Sequence, residues 1–300
     1  MTFSDRRRRF RAVLDGDACV FPASVFDPIS TRIAEDIGYE VGMFAGSVAS
    51  MTVLGAPDLI VLTLTEFTDQ IRRMTRASSL PLLVDADHGY GNALSVMRTV
   101  QELEAAGVAA LTIEDTALPK AFADEPTRLL TLEEGLGKIR AALRSRVDPS
   151  LAIVARTSAF ALGRLEEGVA RVRAYDEAGA DALFLASASS KAQIEAVRMV
   201  SQLPIICGVE GELLERKVMG ALGIRIALQG HQPYLATIQV VHQTLTALRA
   251  GVAMNDLQNM PSDALVKEAT RSAAYDRATK DFLPWGSSQS GSTLIKKEPA

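Results

Sequence analysis

The sequence predicts a (β/α)8 barrel, and three observations carry that reading. Short apolar, β-rich runs recur along the chain, each followed by a longer stretch with helical periodicity. A glycine stop recurs just before the next strand, at Gly38, Gly107, Gly179 and Gly223. The segment after the first strand, "FPASVFDP", lacks the glycine-rich phosphate turn that an open doubly wound sheet would carry. Eight strand–helix units with helices on one face must close on themselves.

The elements follow in order. Arg6 to Arg9 precede "FRAVLD" and read as the solvated face of an N-terminal helix. Strand runs are expected at "ACVFP" from Ala18, "VGMFA" from Val41, "PLLVD" from Pro81 and "AALTIE" from Ala109. Four more follow at "LAIVAR" from Leu151, "ALFLA" from Ala182, "PIIC" from Pro204 and "IRIAL" from Ile224. After Gly230, "QPYLATIQVVHQTLTALRAG" is expected as a long eighth helix, with a further helical stretch from Ser262 to Lys280. Residues 1–284 are read as one barrel domain with C-terminal helices. Residues 285–300 have the composition of a flexible tail, with Trp285 at its start packing on a neighbouring surface.

Composition narrows the function. A net charge of −4 gives no reason to expect nucleic acid as a partner. No run reaches the ~18 apolar residues that a membrane helix needs, and the basic N-terminus has no apolar stretch behind it. Cys19 and Cys207 both lie in apolar runs, as buried strand residues rather than a disulfide or metal pair. A cytoplasmic protein is the expectation.

Barrel enzymes carry their chemistry at the C-terminal ends of the strands. Those ends read Gly46-Ser47, Asp85-Ala86-Asp87, Glu114-Asp115, Arg156, Glu210 and His231. So many charges at one mouth need a neutralising partner. Oxygen ligands from Asp85, Asp87 and Glu114 suit Mg2+, with Mn2+ as the alternative, and not zinc. The competing reading has these acids capping helices. Arg156, ending an apolar strand, suits a bidentate clamp on a carboxylate. Gly46-Ser47 offers backbone N–H groups and a hydroxyl for an anionic oxygen, but "AGSVA" lacks a nucleophile elbow. His231 is either a hydrogen-bond donor to substrate or the N-cap of the eighth helix. His88 lines the mouth or points outward, and His242 reads as a helix-face residue.

With "DADHGYGN", "TIED" and "IVARTSA" in this order, the sequence resembles the isocitrate lyase/phosphoenolpyruvate mutase superfamily from about Phe10 to Gly251. The resemblance implies a barrel whose eighth helix is swapped between partners, a homotetramer, and Mg2+ with a 2-oxo-carboxylate substrate. It carries the metal role onto Asp85, Asp87 and Glu114, and a place near the metal waters onto Asp58. Substrate-carboxylate binding falls to Arg156, and the oxygen-cradling amides are those of Gly46 and Ser47. The family's lyases carry a Lys-Lys-Cys-Gly-His lid, but "TALPKAFADEPTRLL" has neither Cys nor His, nor the Asn a mutase would want. Ser158 replaces the usual Asp after "ART", and Met43 replaces a Tyr. "GSVAS", "DADHGYGNA" and "GH..Y" instead resemble the oxaloacetate-decarboxylating branch, in which His231 would contact substrate. That branch implies loss of CO2 through a metal-stabilised enolate, with Asp85, Arg156 and His231 as the catalytic group. Cleavage of another 2-oxo or 2-hydroxy dicarboxylate, or a non-catalytic metabolite-binding barrel, are the alternatives.

Overall fold

Eight parallel strands run in sequence order, β1 to β8, each joined to the next through helical chain on the outside. The computed structural model describes residues 1–120, 126–188, 190–209 and 215–283. The strands are β1 Ala23–Ser24, β2 Gly42–Phe44, β3 Leu82–Asp85 and β4 Ala110–Glu114, then β5 Ala152–Thr157, β6 Ala182–Leu185, β7 Ile205–Gly208 and β8 Ile224–Leu228. Strands buried on both faces read as continuous apolar runs, and β3, β4 and β6 are buried throughout. The ring closes where Val20 bridges Ile226 in parallel, with Val20 N–H donating to Arg225 O and Ala227 N–H to Val20 O.

The first strand departs from expectation. "ACVFP" supplies only the Val20 bridge, and the regular pairing of β1 with β2 begins at Ala23. Pro22 lacks an N–H for the ladder, so the chain breaks there.

The helices are α1 Phe3–Asp15, α2 Pro28–Ile37, α3 Gly46–Ala49, α4 Leu64–Ala77, α5 Ala93–Ala105 and α6 Leu132–Ser145. They continue with α7 Leu165–Glu177, α8 Lys191–Arg198, α9 Arg216–Ala221, α10 Gln232–Arg249, α11 Asp263–Thr270 and α12 Ser272–Phe282. Their starts follow local chemistry. The side chains of Thr2, Asp27, Thr63 and Ser190 each accept from the backbone N–H three residues on, and each of their own N–H groups donates to that residue's side chain.

Helix α1 closes the barrel floor, burying Phe10 and Leu14. Its basic run is not a uniformly solvated face, because Arg6 and Arg7 are buried. Arg6 donates to Thr75 O at 2.6 Å; Arg7 donates to Glu104 O at 2.6 Å, Val108 O at 3.0 Å and the Asp148 carboxylate at 2.8 Å. A long aliphatic stem lets each side chain cross apolar surface and reach backbone carbonyls in the last turns of α4 and α5, Arg7 also that of Val108 just before β4. Cys207, in β7, and Cys19, just before the Val20 bridge and outside the named strands, are both buried and form no disulfide.

The chain divides into two compact units, Met1–Thr246 and Ala247–Ala300. In the second, the helical stretch expected from Ser262 to Lys280 is two helices, broken at Arg271, whose φ of 61° ends α11 in a left-handed turn. Trp285 and the tail lie outside the described residues. No helix among the described residues is long and apolar enough to cross a membrane.

Candidate active site

The C-terminal ends of β2, β3, β4, β5 and β8 surround a cavity of about 490 Å3. Asp58, Asp85, Asp87, Glu114, Arg156, His231 and Ser47 all line it. Strand alternation explains which side chains arrive. Thr112 and Glu114 share the inner face of β4, and the Thr112 hydroxyl donates to Asp85 Oδ1 at 2.6 Å. Asp115 therefore points the other way. It is buried against α7, accepting from Arg171 Nη1 at 3.1 Å and from the Tyr175 hydroxyl at 2.8 Å. Neither a metal ligand nor a helix cap, Asp115 is part of the barrel wall.

The turn after β3 answers to close packing. Asp87 and Tyr90 take positive φ, 47° and 59°, and Gly89 follows suit at 75°. A Cβ on Gly89 would lie 2.4 Å from Val96 Cγ2, so a side chain there would push the turn off α5. Asp87 N–H donates to Asp85 Oδ1 at 3.2 Å, and Asp87 O accepts from Glu114 N–H at 2.9 Å, which ties the two strand ends together. Across the mouth, a Cβ on Gly46 would meet Asp87 Oδ1 at 2.7 Å, so a side chain there would displace that carboxylate. A π-helical turn, Ser50–Leu54, then leads into the loop that carries Asp58.

Negative charge is in excess here. Burial first, then the neighbouring Asp85 and Glu114, push Asp87 up to about 9. Burial also raises Glu114, and burial followed by Asp85 raises Asp58. Arg156 is the counter-ion. Its Nη1 pairs with Asp85, and its Nε lies 3.4 Å from Glu114 Oε2 without hydrogen-bond alignment. Burial would lower the guanidinium, but Asp85, Glu114 and Asp87 outweigh it and hold it above its ordinary value. The clamp expected on a substrate carboxylate is thus closed on the protein's own acids. The guanidinium also lies over the Phe184 ring, 5.2 Å from its centroid.

Arg156 is the cation that pairs with these acids, and four carboxyl groups leave room for a further positive charge. Among the described residues no three His, Cys, Asp or Glu side chains already converge on one ion-sized point. Mg2+ does not need them to, because it keeps several waters and takes one or two carboxylates directly. The all-oxygen donors, the raised acids and the orphaned Arg156 Nε fit such an ion with an anionic partner beside it.

His231 follows Gly230 at the end of β8. Its backbone carbonyl, not its ring, caps α10, accepting from Tyr234 and Leu235 N–H at 3.1 and 3.2 Å. Ring Nδ1 instead lies 3.0 Å from Ser24 Oγ, and burial holds its pKa below the ordinary imidazole range. His88 is buried and stands apart from the cavity lining; burial takes it down to about 4. His242 is on the exposed surface of α10. Glu210 lies outside the described residues.

Several lining residues were not singled out from the sequence. Thr116 donates to Glu114 Oε2 at 2.8 Å and lies 3.1 Å from Ser158 Oγ, so the serine at the usual aspartate position is wired to Glu114. Leu118, Pro119, Lys120 and Thr127 line the mouth from the segment after β4. That segment is fastened at its base, where Ala117 N–H donates to Arg128 O and Leu130 N–H to Asp115 O, both at 2.8 Å. Part of it, residues 121–125, lies outside the described residues.

Known proteins match this arrangement over nearly its whole length. Residues 10–249 match the family model described as phosphoenolpyruvate phosphomutase. A protein of Rhodopseudomonas palustris (strain BisB18) named oxaloacetate decarboxylase is 52% identical over 284 residues, covering 94% of this chain and 99% of its own. A phosphoenolpyruvate phosphomutase from Streptomyces platensis subsp. rosaceus superposes with a TM-score of 0.83 at 29% identity, covering 92% of this chain and 99% of its own. A phosphonopyruvate hydrolase solved with oxalate and Mg++ gives a TM-score of 0.83 at 26% identity, covering 94% of this chain and 100% of its own. The chain belongs to the phosphoenolpyruvate phosphomutase family.

Proposed function

We propose that this protein decarboxylates oxaloacetate to pyruvate and CO2 with Mg2+ bound at the barrel mouth. The observation that carries the reading is the gathering of Asp58, Asp85, Asp87 and Glu114 in one cavity with His231 and with Arg156, which pairs with Asp85. The relative named oxaloacetate decarboxylase supports the substrate, and the hydrolase solved with oxalate and Mg++ supports both the metal and a two-carboxylate-sized anion.

Asp85, Asp87 and Glu114 would hold the ion, directly or through its waters, with Asp58 accepting from those waters. Bound there, Mg2+ supplies an electrophile that draws negative charge from a ketone oxygen. Arg156 has one guanidinium for both the wall acids and the substrate's fixed carboxylate, so substrate binding draws it partly off Asp85 and frees that acid. The amides and hydroxyl of Gly46 and Ser47 cradle the same carboxylate and keep the breaking C3–C4 bond aligned with the carbonyl π system. When that bond breaks, its electron pair moves into C2–C3 and toward the ketone oxygen, and CO2 departs. His231 donates a hydrogen bond where that charge builds. A proton from water then completes pyruvate. No acid is needed for bond cleavage, which accords with a mouth segment that has neither Cys nor His.

Helix α10 supports an oligomer. None of its residues is buried, and Leu235, Ile238, Val241 and Leu245 form one exposed apolar face. Such a face finds cover in a neighbour, and we assign it to a homotetramer of helix-swapped dimers in the cytoplasm.

Pyruvate release from oxaloacetate, with Mg2+ and then with EDTA, tests the reading against the background that free Mg2+ gives with the Asp85→Ala variant. Release well above that background, lost in EDTA and restored by Mg2+, is expected. Glyoxylate or oxalate as product, or no turnover, contradicts it.

A further inference from the structure

Ser24 and His231 are 207 positions apart, yet Ser24 Oγ lies 3.0 Å from His231 Nδ1. Ser24 is the last residue of β1 and is buried; His231 follows β8. The contact therefore spans the seam at which the barrel closes. The proposed mechanism uses the imidazole and leaves this hydroxyl without a role.

A neutral imidazole carries one ring proton, so the pair has two arrangements. In one, Ser24 donates to Nδ1 and the proton is on Nε2. In the other, Nδ1–H donates to Ser24, and Nε2 offers a lone pair. Two observations separate them. Ser24 Oγ has no hydrogen-bond partner other than His231 among the described residues, so the second arrangement leaves its hydroxyl proton without a protein acceptor. The cavity that His231 lines also holds Asp58 and Asp85, whose carboxylates attract an N–H and repel a lone pair. Both favour the first.

We propose that Ser24 is a positioning residue: its hydroxyl donates to His231 Nδ1, fixes the Nε2–H tautomer and presents that N–H to the cavity as the donor to substrate. The proposal rests on the reading of His231 as that donor. Ser24 itself need not touch substrate.

The test joins NMR to kinetics. The chain has three histidines, so 15N-histidine labelling gives three ring systems, and the His231→Gln spectrum identifies the one that matters. The wild-type His231 ring is expected as the Nε2–H tautomer in the absence of substrate. Ser24→Ala should give a mixture of tautomers and lower kcat about tenfold with little change in KM, the size of one lost hydrogen bond to an aligned group. Ser24→Thr keeps the hydroxyl and should retain both the tautomer and most of the turnover. A wild-type ring protonated on Nδ1, or a Ser24→Ala ring unchanged from wild type, overturns the proposal. Full turnover by His231→Gln overturns instead the reading beneath it, and that outcome is separate because the tautomer is observed without substrate.

Discussion

At the floor of the barrel, Arg7 meets Asp148 at 2.8 Å and two backbone carbonyls, while Arg11 pairs with Asp181 at 2.8 Å. At the mouth, four acids share Arg156. Both ends gather charge, yet the floor matches sign with sign and holds Asp148 below the ordinary carboxylate range, with hydrogen bonds from Ser150, Arg7 and Ser4 outweighing its burial. The mouth leaves Asp58, Asp87 and Glu114 raised, Asp87 to about 9. Paired charge at the floor serves stability. Crowded carboxyl groups at the mouth are a cost to the fold that, on the proposed reading, a bound cation would relieve.

The comparison breaks most visibly at Asp85. Asp85→Ala should abolish Mg2+-dependent turnover, a loss on the order of 10^3-fold or more, while the protein stays folded. Unchanged Mg2+-dependent turnover would remove Asp85 from the site. Arg7→Met should do the reverse, costing about 2–4 kcal/mol of stability by leaving the Glu104 and Val108 carbonyls without their donor and removing one of the side chains that bond Asp148, with KM for substrate unchanged. A thermal midpoint equal to wild type would show that the floor pairs are ornamental.

His231→Gln should lower turnover by about 10^2-fold with native stability. Wild-type kinetics would reduce His231 to a residue that only ends β8.

The pH dependence of stability has opposite sign at the two ends. Asp87 is raised from 3.8 to about 9 in the folded chain, so the unfolded state loses its proton first. In the metal-free protein this makes stability fall as pH rises from about 4 to about 9. Asp148 is lowered, so its contribution is present above pH 3.8 and is lost as pH falls below that value. Urea unfolding of wild type and Asp87→Asn in EDTA measures the first, and Asp148→Asn the second. A wild-type curve parallel to Asp87→Asn across pH 5–9 would contradict the strained mouth.

Much of this contrast was legible in the residues. Strands buried on both faces leave continuous apolar runs, and β2 to β8 fall where "VGMFA" through "IRIAL" place them. The acids at the ends of β3 and β4 stand out because nothing in an apolar run explains them. What the one-dimensional pattern hid was direction. Glu114 and Asp115 look alike in "TIED", but the two-residue period sends one into the cavity and the other to Arg171. Arg6 and Arg7 look like solvated charge until the helix that carries them is laid against the C-terminal ends of α4 and α5. Ser24 and Thr116 gave no signal, since a hydroxyl acquires meaning only from what the barrel brings beside it.

Titration calorimetry of Mg2+ into the metal-free protein, wild type against Asp85→Ala, tests the central claim most directly. The account predicts one ion per chain in the wild type, tightening as pH rises toward 9 with release of a proton, and no binding in the variant. Equal binding by the two proteins would place the ion elsewhere and contradict it.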